Sequence, residues 1–123
     1  MINILAVGAG GFLGAVIRYL AGMLPVGQPA GFPLITFCIN LLGSFLIGFV
    51  SQIAADRQSA GETLTLFLKV GLCGGFTTFS TFALENFTLI NENRTGIALL
   101  YMSLSFSACI AGVLAGSALA RRV

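Results

Sequence analysis

Four long apolar runs joined by short polar links leave this chain few ways to fold. They cover residues 2–24, 32–54, 64–90 and 96–120 of the 123. A helix of roughly 20 apolar residues crosses a hydrocarbon core about 30 Å thick, and each run reaches that length. The second and fourth runs carry no charged residue. In lipid a segment must satisfy its own backbone polar groups, so each run is expected as a helix. The fold expected is all-α and integral to the membrane: one domain, residues 1–123, of four transmembrane helices. Composition agrees, since only 8% of the residues are charged where a soluble domain carries about 25%.

Several function classes drop out at this point. The net charge of +2 is small and scattered, which argues against nucleic-acid binding. Histidine is absent, and Cys38, Cys73 and Cys109 lie inside apolar runs at a spacing that matches no metal motif. That pattern argues against zinc, haem and a disulfide framework. No basic stretch precedes the first run, so a cleavable signal peptide is not expected. The links 25–31, 55–63 and 91–95 hold turn residues, among them Pro25, Gly27, Pro29 and Gly31, then Asp56, Arg57, Gln58 and Ser59, then Asn91 and Asn93. Four crossings put both termini on one side. Arg57, Arg121 and Arg122, with Lys69 near that surface, stand against Arg94 and Arg18. This is a mild bias for termini inside, weak enough to permit insertion both ways round. Gly10 with Gly14, and Gly112 with Gly116, are small-xxx-small pairs that let helices approach closely in lipid. A bundle this thin encloses little by itself, and an oligomer, most economically a dimer, is expected.

The third run is interrupted. Gly71 to Phe82 reads Gly-Leu-Cys-Gly-Gly-Phe-Thr-Thr-Phe-Ser-Thr-Phe, a poor recipe for a continuous helix because glycine costs about 1 kcal/mol relative to alanine and hydroxyl side chains compete for backbone bonds. The third helix is therefore expected to be broken at its centre, and a break at that depth must be buried in protein or line a wet cavity. A half-helix ending at Gly74-Gly75 would turn its carbonyl pole towards the break, which suits a cation. Phe76, Phe79 and Phe82 recur every three residues, beside Thr77 with Ser80 and Thr78 with Thr81. A phenylalanine stripe is ordinary packing, or it presents positive ring edges to a small anion.

Other polar residues inside the runs are Arg18, Thr36, Asn40, Ser44, Lys69, Glu85, Ser103, Ser105 and Ser107. Intramembrane ionisable groups are functional candidates, although Arg18 and Lys69 can also snorkel to an interface. Asn40 is too deep to snorkel and either joins helices or lines a hydrophilic path. Gly8 to Gly14, Gly-Ala-Gly-Gly-Phe-Leu-Gly, imitates a dinucleotide-binding turn. No acidic residue follows at the required distance and no strand–helix alternation surrounds it, so helix packing is the better reading.

With these residues in view, the chain resembles the Fluc (CrcB) fluoride channels over essentially its whole length. The match rests on the Gly-rich first run ending in Arg18-Tyr19, on Thr36, on Asn-Leu-Leu-Gly-Ser from Asn40, and above all on Gly71 to Phe82 followed by Glu85. The resemblance implies a multi-pass protein of a prokaryotic inner (plasma) membrane and a passive channel that exports fluoride, not an enzyme. It implies a homodimer of oppositely inserted subunits with two antiparallel pores. It implies a structural sodium ion at the dimer centre, held by backbone carbonyls that fall on Gly74 and Thr77. Pore positions fall on Phe79, Phe82, Asn40, Ser80, Thr81, Tyr101 and Ser105, with Arg18 in a vestibule and Glu85 and Thr36 as further candidates. The polar track of the fourth run would continue at Cys109 and Val113, where this chain departs from the hydroxyls of other members. Fluoride enters cells as neutral hydrogen fluoride and dissociates in the cytoplasm, so a selective pore lets the membrane potential expel it. The rival reading is a small multidrug-type, proton-coupled exporter. That chemistry needs a carboxylate in the first span, and the first run has none.

Overall fold

The computed structural model describes residues 1–56 and 61–123. Arg57, Gln58 and Ser59, read above as turn residues, lie outside the described residues. All regular structure in the described residues is helical. Helix α1 is Ile2–Gly22 and α2 is Leu34–Asp56. The third crossing starts with α3, a continuous helical run over residues 62–76. It consists of Glu62–Leu66, a π-helical stretch Phe67–Cys73, and a last turn Gly74–Phe76. After two extended residues, α4 covers Phe79–Asn91, and α5 covers Thr95–Ala120. Four stretches are long and apolar enough to cross a membrane: Ile2–Gly22, Leu34–Asp56, Glu62–Asn91 and Thr95–Ala120. Large apolar side chains lie on the outside, Ile4, Phe12 and Phe106 among them, as a bilayer solvent permits.

The break differs from the expectation in its position. Gly74 has φ −64° and ψ −38°, ordinary right-handed helix, and the helix runs on to Phe76. The chain leaves helical geometry at Thr77 (ψ 156°) and Thr78 (φ −149°, ψ 118°). The half-helix therefore ends at Phe76 and not at Gly74-Gly75. Phe76 falls before the break and is buried, so the expected stripe reduces to Phe79 and Phe82.

The glycines serve close approach instead. A Cβ on Gly14 would overlap the Leu72 carbonyl oxygen and sit 2.7 Å from the Phe76 nitrogen. A Cβ on Gly71 would sit 2.8 Å from the Gly10 Cα, and one on Gly75 would meet the Gly11 backbone. Thus α1 and α3 touch backbone to backbone along one seam. A second seam joins α2 to α5. There Gly48 faces the Val113 backbone, Gly116 faces the Phe45 carbonyl and Gly112 faces Leu41. The molecule is two glycine-zipped pairs, α1 with α3 and α2 with α5, set against each other.

The ends of α4 and α5 are joined by a tight reversal. Asn93 adopts φ 59°, the Arg94 N–H donates to the Leu89 carbonyl at 2.8 Å, and the Asn93 N–H donates to the Ile90 carbonyl at 3.0 Å. This is a Schellman cap with asparagine in the left-handed position. The Arg94 guanidinium then donates to the Ala30 carbonyl, tying this turn to the α1–α2 link. A glycine is required at residue 31, where φ is 78° and the Arg94 side chain occupies the space of a Cβ.

The seams generate a direct test. Gly14→Ala forces backbone apart and should cost about 1–3 kcal/mol. Gly22→Ala, at a position with open space around it, should leave stability unchanged. Thermal unfolding of the two variants in detergent, side by side, measures the difference.

Candidate functional site

The site begins with what the break does to the backbone. Thr78 would ordinarily donate its N–H to the Gly74 carbonyl, but it donates to Asn40 Oδ1 on α2 at 2.8 Å. Asn40 Nδ2 returns a bond to the Thr78 carbonyl at 3.1 Å. A single amide thus satisfies a donor and an acceptor of one broken residue. Beyond it, Thr78 caps α4. Its Oγ1 accepts from the Thr81 N–H at 3.3 Å and donates to Thr81 Oγ1 at 3.0 Å, with Ser80 Oγ 3.4 Å away. A threonine or serine ahead of a helix is a favoured N-cap. The spacing of Thr78 and Thr81 was the available signal for this role, and the stripe reading passed over it.

On the other side of the break, Arg18 donates through Nε to the Gly75 carbonyl at 3.1 Å, so this half-buried guanidinium holds the C-terminal end of α3. The carbonyls of Gly74 and Thr77 lose their helical donors, because Thr78 N–H goes to Asn40 and Thr81 N–H to Thr78. Gly74 itself is exposed on the chain surface.

The side chains after the break face a cavity of about 780 Å³ that opens to one side of the chain. Asn40 and Ser44 of α2, Phe79 and Phe82 of α4, and Ser105 and Cys109 of α5 all line it. Phe79 is 80% exposed. Its ring centroid lies 5.6 Å from that of Phe82, which in turn is 5.0 Å from that of Tyr101. Ser105 is buried, and its hydroxyl has no hydrogen-bond partner among the described residues. Ser103 lines the same cavity and Val113 does not.

Glu85, Thr36 and Tyr101 come together as a closed triad. The Thr36 hydroxyl donates to Glu85 Oε1 at 2.7 Å and the Tyr101 hydroxyl to Glu85 Oε2 at 2.8 Å. Both carboxylate oxygens are engaged, and Tyr101 is fully buried beneath Phe32 and Phe82. The spacing of three residues so far apart in sequence held no hint of this cluster. Asn86, one turn beyond Phe82, donates to the Phe82 carbonyl at 2.9 Å. No group of three or more His, Cys, Asp or Glu side chains that could hold a metal occurs among the described residues.

Comparison with known proteins points one way. The family model described as CrcB-like protein, Camphor Resistance (CrcB), matches residues 5–117. A fluoride-specific ion channel FluC of Ruminiclostridium cellulolyticum is 42% identical over 124 residues, covering 100% of this chain and 95% of that protein. The protein of that name in Chlorobaculum tepidum is 44% identical over 121 residues, covering 98% and 96%. The one in Rhizobium meliloti is 43% identical over 123 residues, covering 98% of each. These relatives are ion channels and not enzymes.

The Asn40 bonds set an expectation for this site. Asn40→Leu removes both partners of Thr78 and leaves a backbone donor and acceptor unpaired at membrane depth. Each costs about 1–3 kcal/mol. Thermal unfolding of Asn40→Leu in detergent should show a larger loss than Ser44→Ala, which shares the cavity wall without a bond to the break.

Proposed function

This chain belongs to the CrcB-like family, and we propose that it is a passive channel for fluoride, the ion that its relatives' names specify. The carrying observation is the buried Ser105 hydroxyl, without a protein partner, in the wall of the cavity that Phe79, Phe82 and Asn40 also line. A buried polar group is normally hydrogen-bonded, and a small, strongly hydrated anion passing that wall supplies the missing acceptor. Positive ring edges of Phe79 and Phe82 replace part of the ion's hydration without a fixed charge that would trap it. The N-terminus of α4 adds its positive pole at the same place. Chloride is larger and has less to gain from closely placed donors, so fit discriminates against it. Conduction down the electrical gradient needs neither a nucleotide site nor a proton-carrying carboxylate.

The cavity is open along one side, and a pathway through lipid must be closed. A second copy of the chain supports closure. In the arrangement proposed here, two oppositely inserted subunits cover each other's grooves and form two antiparallel pores. Gly74 and Thr77 would then meet their counterparts at the centre. Their freed carbonyls are hard oxygen ligands of the kind that group I and II cations take. They fit a sodium ion, and Arg18 takes Gly75 out of competition for it. Sodium there would supply the positive charge that holds four carbonyl dipoles together. Ser80, Thr81, Tyr101, Glu85 and Thr36 act in this reading around the rings, with the triad fixing Tyr101 against Phe82.

Liposomes containing only this protein, loaded with fluoride and read with a fluoride electrode, test the function. Rapid fluoride efflux with no matching chloride efflux is expected, and absence of fluoride efflux in sodium-containing buffer overturns it. Phe82→Ile should lower flux roughly tenfold, the equivalent of about 1.4 kcal/mol of lost ion stabilisation. The dimer should persist on gel filtration. For the arrangement of subunits, a single cysteine added after Val123 in a background lacking Cys38, Cys73 and Cys109 should label from both faces of the membrane. Labelling from one face alone contradicts opposite insertion.

A further inference from the structure

The groove between α2 and α5 continues past the proposed pathway. Ile47 lines both the cavity at the phenylalanines and a second cavity of about 310 Å³ closer to the chain termini. Along α5 the wall between them becomes less polar, from Ser105 to Cys109, Ile110 and then Val113. Along α2 polar residues stand on both sides of Ile47 and Gly48, Asn40 and Ser44 in the first cavity and Ser51 and Gln52 in the second. Polarity on α5 resumes at Ser117, and α3 contributes Lys69.

Among the described residues that line this second cavity, Lys69 carries the charge. Ser117 donates to Gln52 Oε1 at 2.8 Å, and Gln52 Nε2 donates to both Asp56 carboxylate oxygens at 2.9 Å. The Asp56 carboxylate is thereby held at the end of α2 by an amide. Glu62, at the start of α3, accepts from Asn3 at 3.3 Å. Arg121 and Arg122 follow the end of α5. Lys69 is exposed and makes no ion pair or hydrogen bond with any described residue, so its three ammonium donors are uncommitted. The Ser51 hydroxyl, in the same lining, is likewise unbonded.

We propose that Lys69 and Ser51 form an anion-binding mouth at the terminal end of the groove, which captures fluoride before it reaches the phenylalanines. This rests on the channel reading above. An ammonium exposed to water holds an anion loosely, because solvent screens their attraction, as a capture site requires. Its charge raises local anion concentration, an effect that operates on entry and weakens with ionic strength. From there Ser51 and then Ser44, on either side of Ile47, supply hydroxyls opposite the apolar stretch of α5, ahead of Asn40 and Ser105. The departures at Cys109 and Val113 are bridged from the facing helix.

Fluoride efflux from liposomes, measured across a series of fluoride concentrations and at two ionic strengths set with an impermeant organic salt, tests this. Lys69→Gln should reduce flux at limiting fluoride by about threefold to tenfold. It should keep the maximal flux and lose most of the ionic-strength dependence seen in the wild type. Lys69→Arg should restore both, and Ser51→Ala should give a smaller loss at limiting fluoride. Lys69→Gln that follows the wild type in both series overturns the mouth while leaving the channel intact. A wild-type protein without fluoride flux overturns the channel reading itself, and the mouth with it.

Discussion

The two hydrogen bonds between the Asn40 amide and the Thr78 backbone are the interaction on which the rest depends. A helix cannot stop in hydrocarbon unless its freed backbone groups find partners. Water is the usual partner and is scarce at that depth. Asn40 supplies a donor and an acceptor from a neighbouring helix, Thr78 caps the next helix with its own side chain, and Arg18 takes the Gly75 carbonyl. Two polar residues from other helices, Asn40 and Arg18, and Thr78 of the break itself therefore make the break tolerable. Without them the third crossing would gain by closing into one continuous helix, and the rings of Phe79 and Phe82 would turn to another face.

Such partners must arrive at fixed distances, and the glycine seams ensure that they do. Arg18 reaches Gly75 only because α1 lies backbone to backbone on α3, through Gly10 and Gly14 against Gly71 and Gly75. The α2–α5 seam, through Gly48, Gly112 and Gly116, similarly sets the separation of Asn40 from Ser105 across the cavity. The π-helical stretch Phe67–Cys73 lies on the same seam. It widens the turn by one residue where Gly10 and Gly14 meet the backbone of Phe67, Gly71 and Leu72.

What the residues disclosed in advance follows from how local each cause is. The four crossings are a matter of apolar length and were readable from composition along the chain. The existence of a break was readable from glycines and hydroxyls in sequence, but its position was not. Gly75 stays in helical geometry because its lack of a side chain serves packing against Gly11, a contact with a helix some sixty residues away, while Gly74 beside it is helical with open space around it. The break falls at Thr77 and Thr78 because Asn40 can reach it there. The triad of Thr36, Glu85 and Tyr101 joins three different helices, and no periodicity encodes such a meeting. Thr36 and Glu85 were visible alone as polar residues in apolar runs, and Tyr101 only through the family resemblance.

The break also separates two electrostatic tasks along one crossing. The carbonyl pole of α3 ends at Phe76, where the carbonyls of Gly74 and Thr77 are left without their helical donors. The amide pole of α4 begins at Phe79, whose ring stands in it. Had the helix been continuous, the two half-dipoles would cancel at this depth and neither pole would exist. Two extended residues are enough to expose both, because only the first and last turns of a helix carry its unsatisfied groups. The polar residues that hold the break open are therefore also the source of the charge asymmetry that an ion path needs. In the proposed reading the anion side carries no formal positive charge beside the rings, where a lysine would bind fluoride strongly and slow its departure. Lys69, in the second cavity along the groove, would then attract without holding and leave the aromatic and hydroxyl wall to conduct.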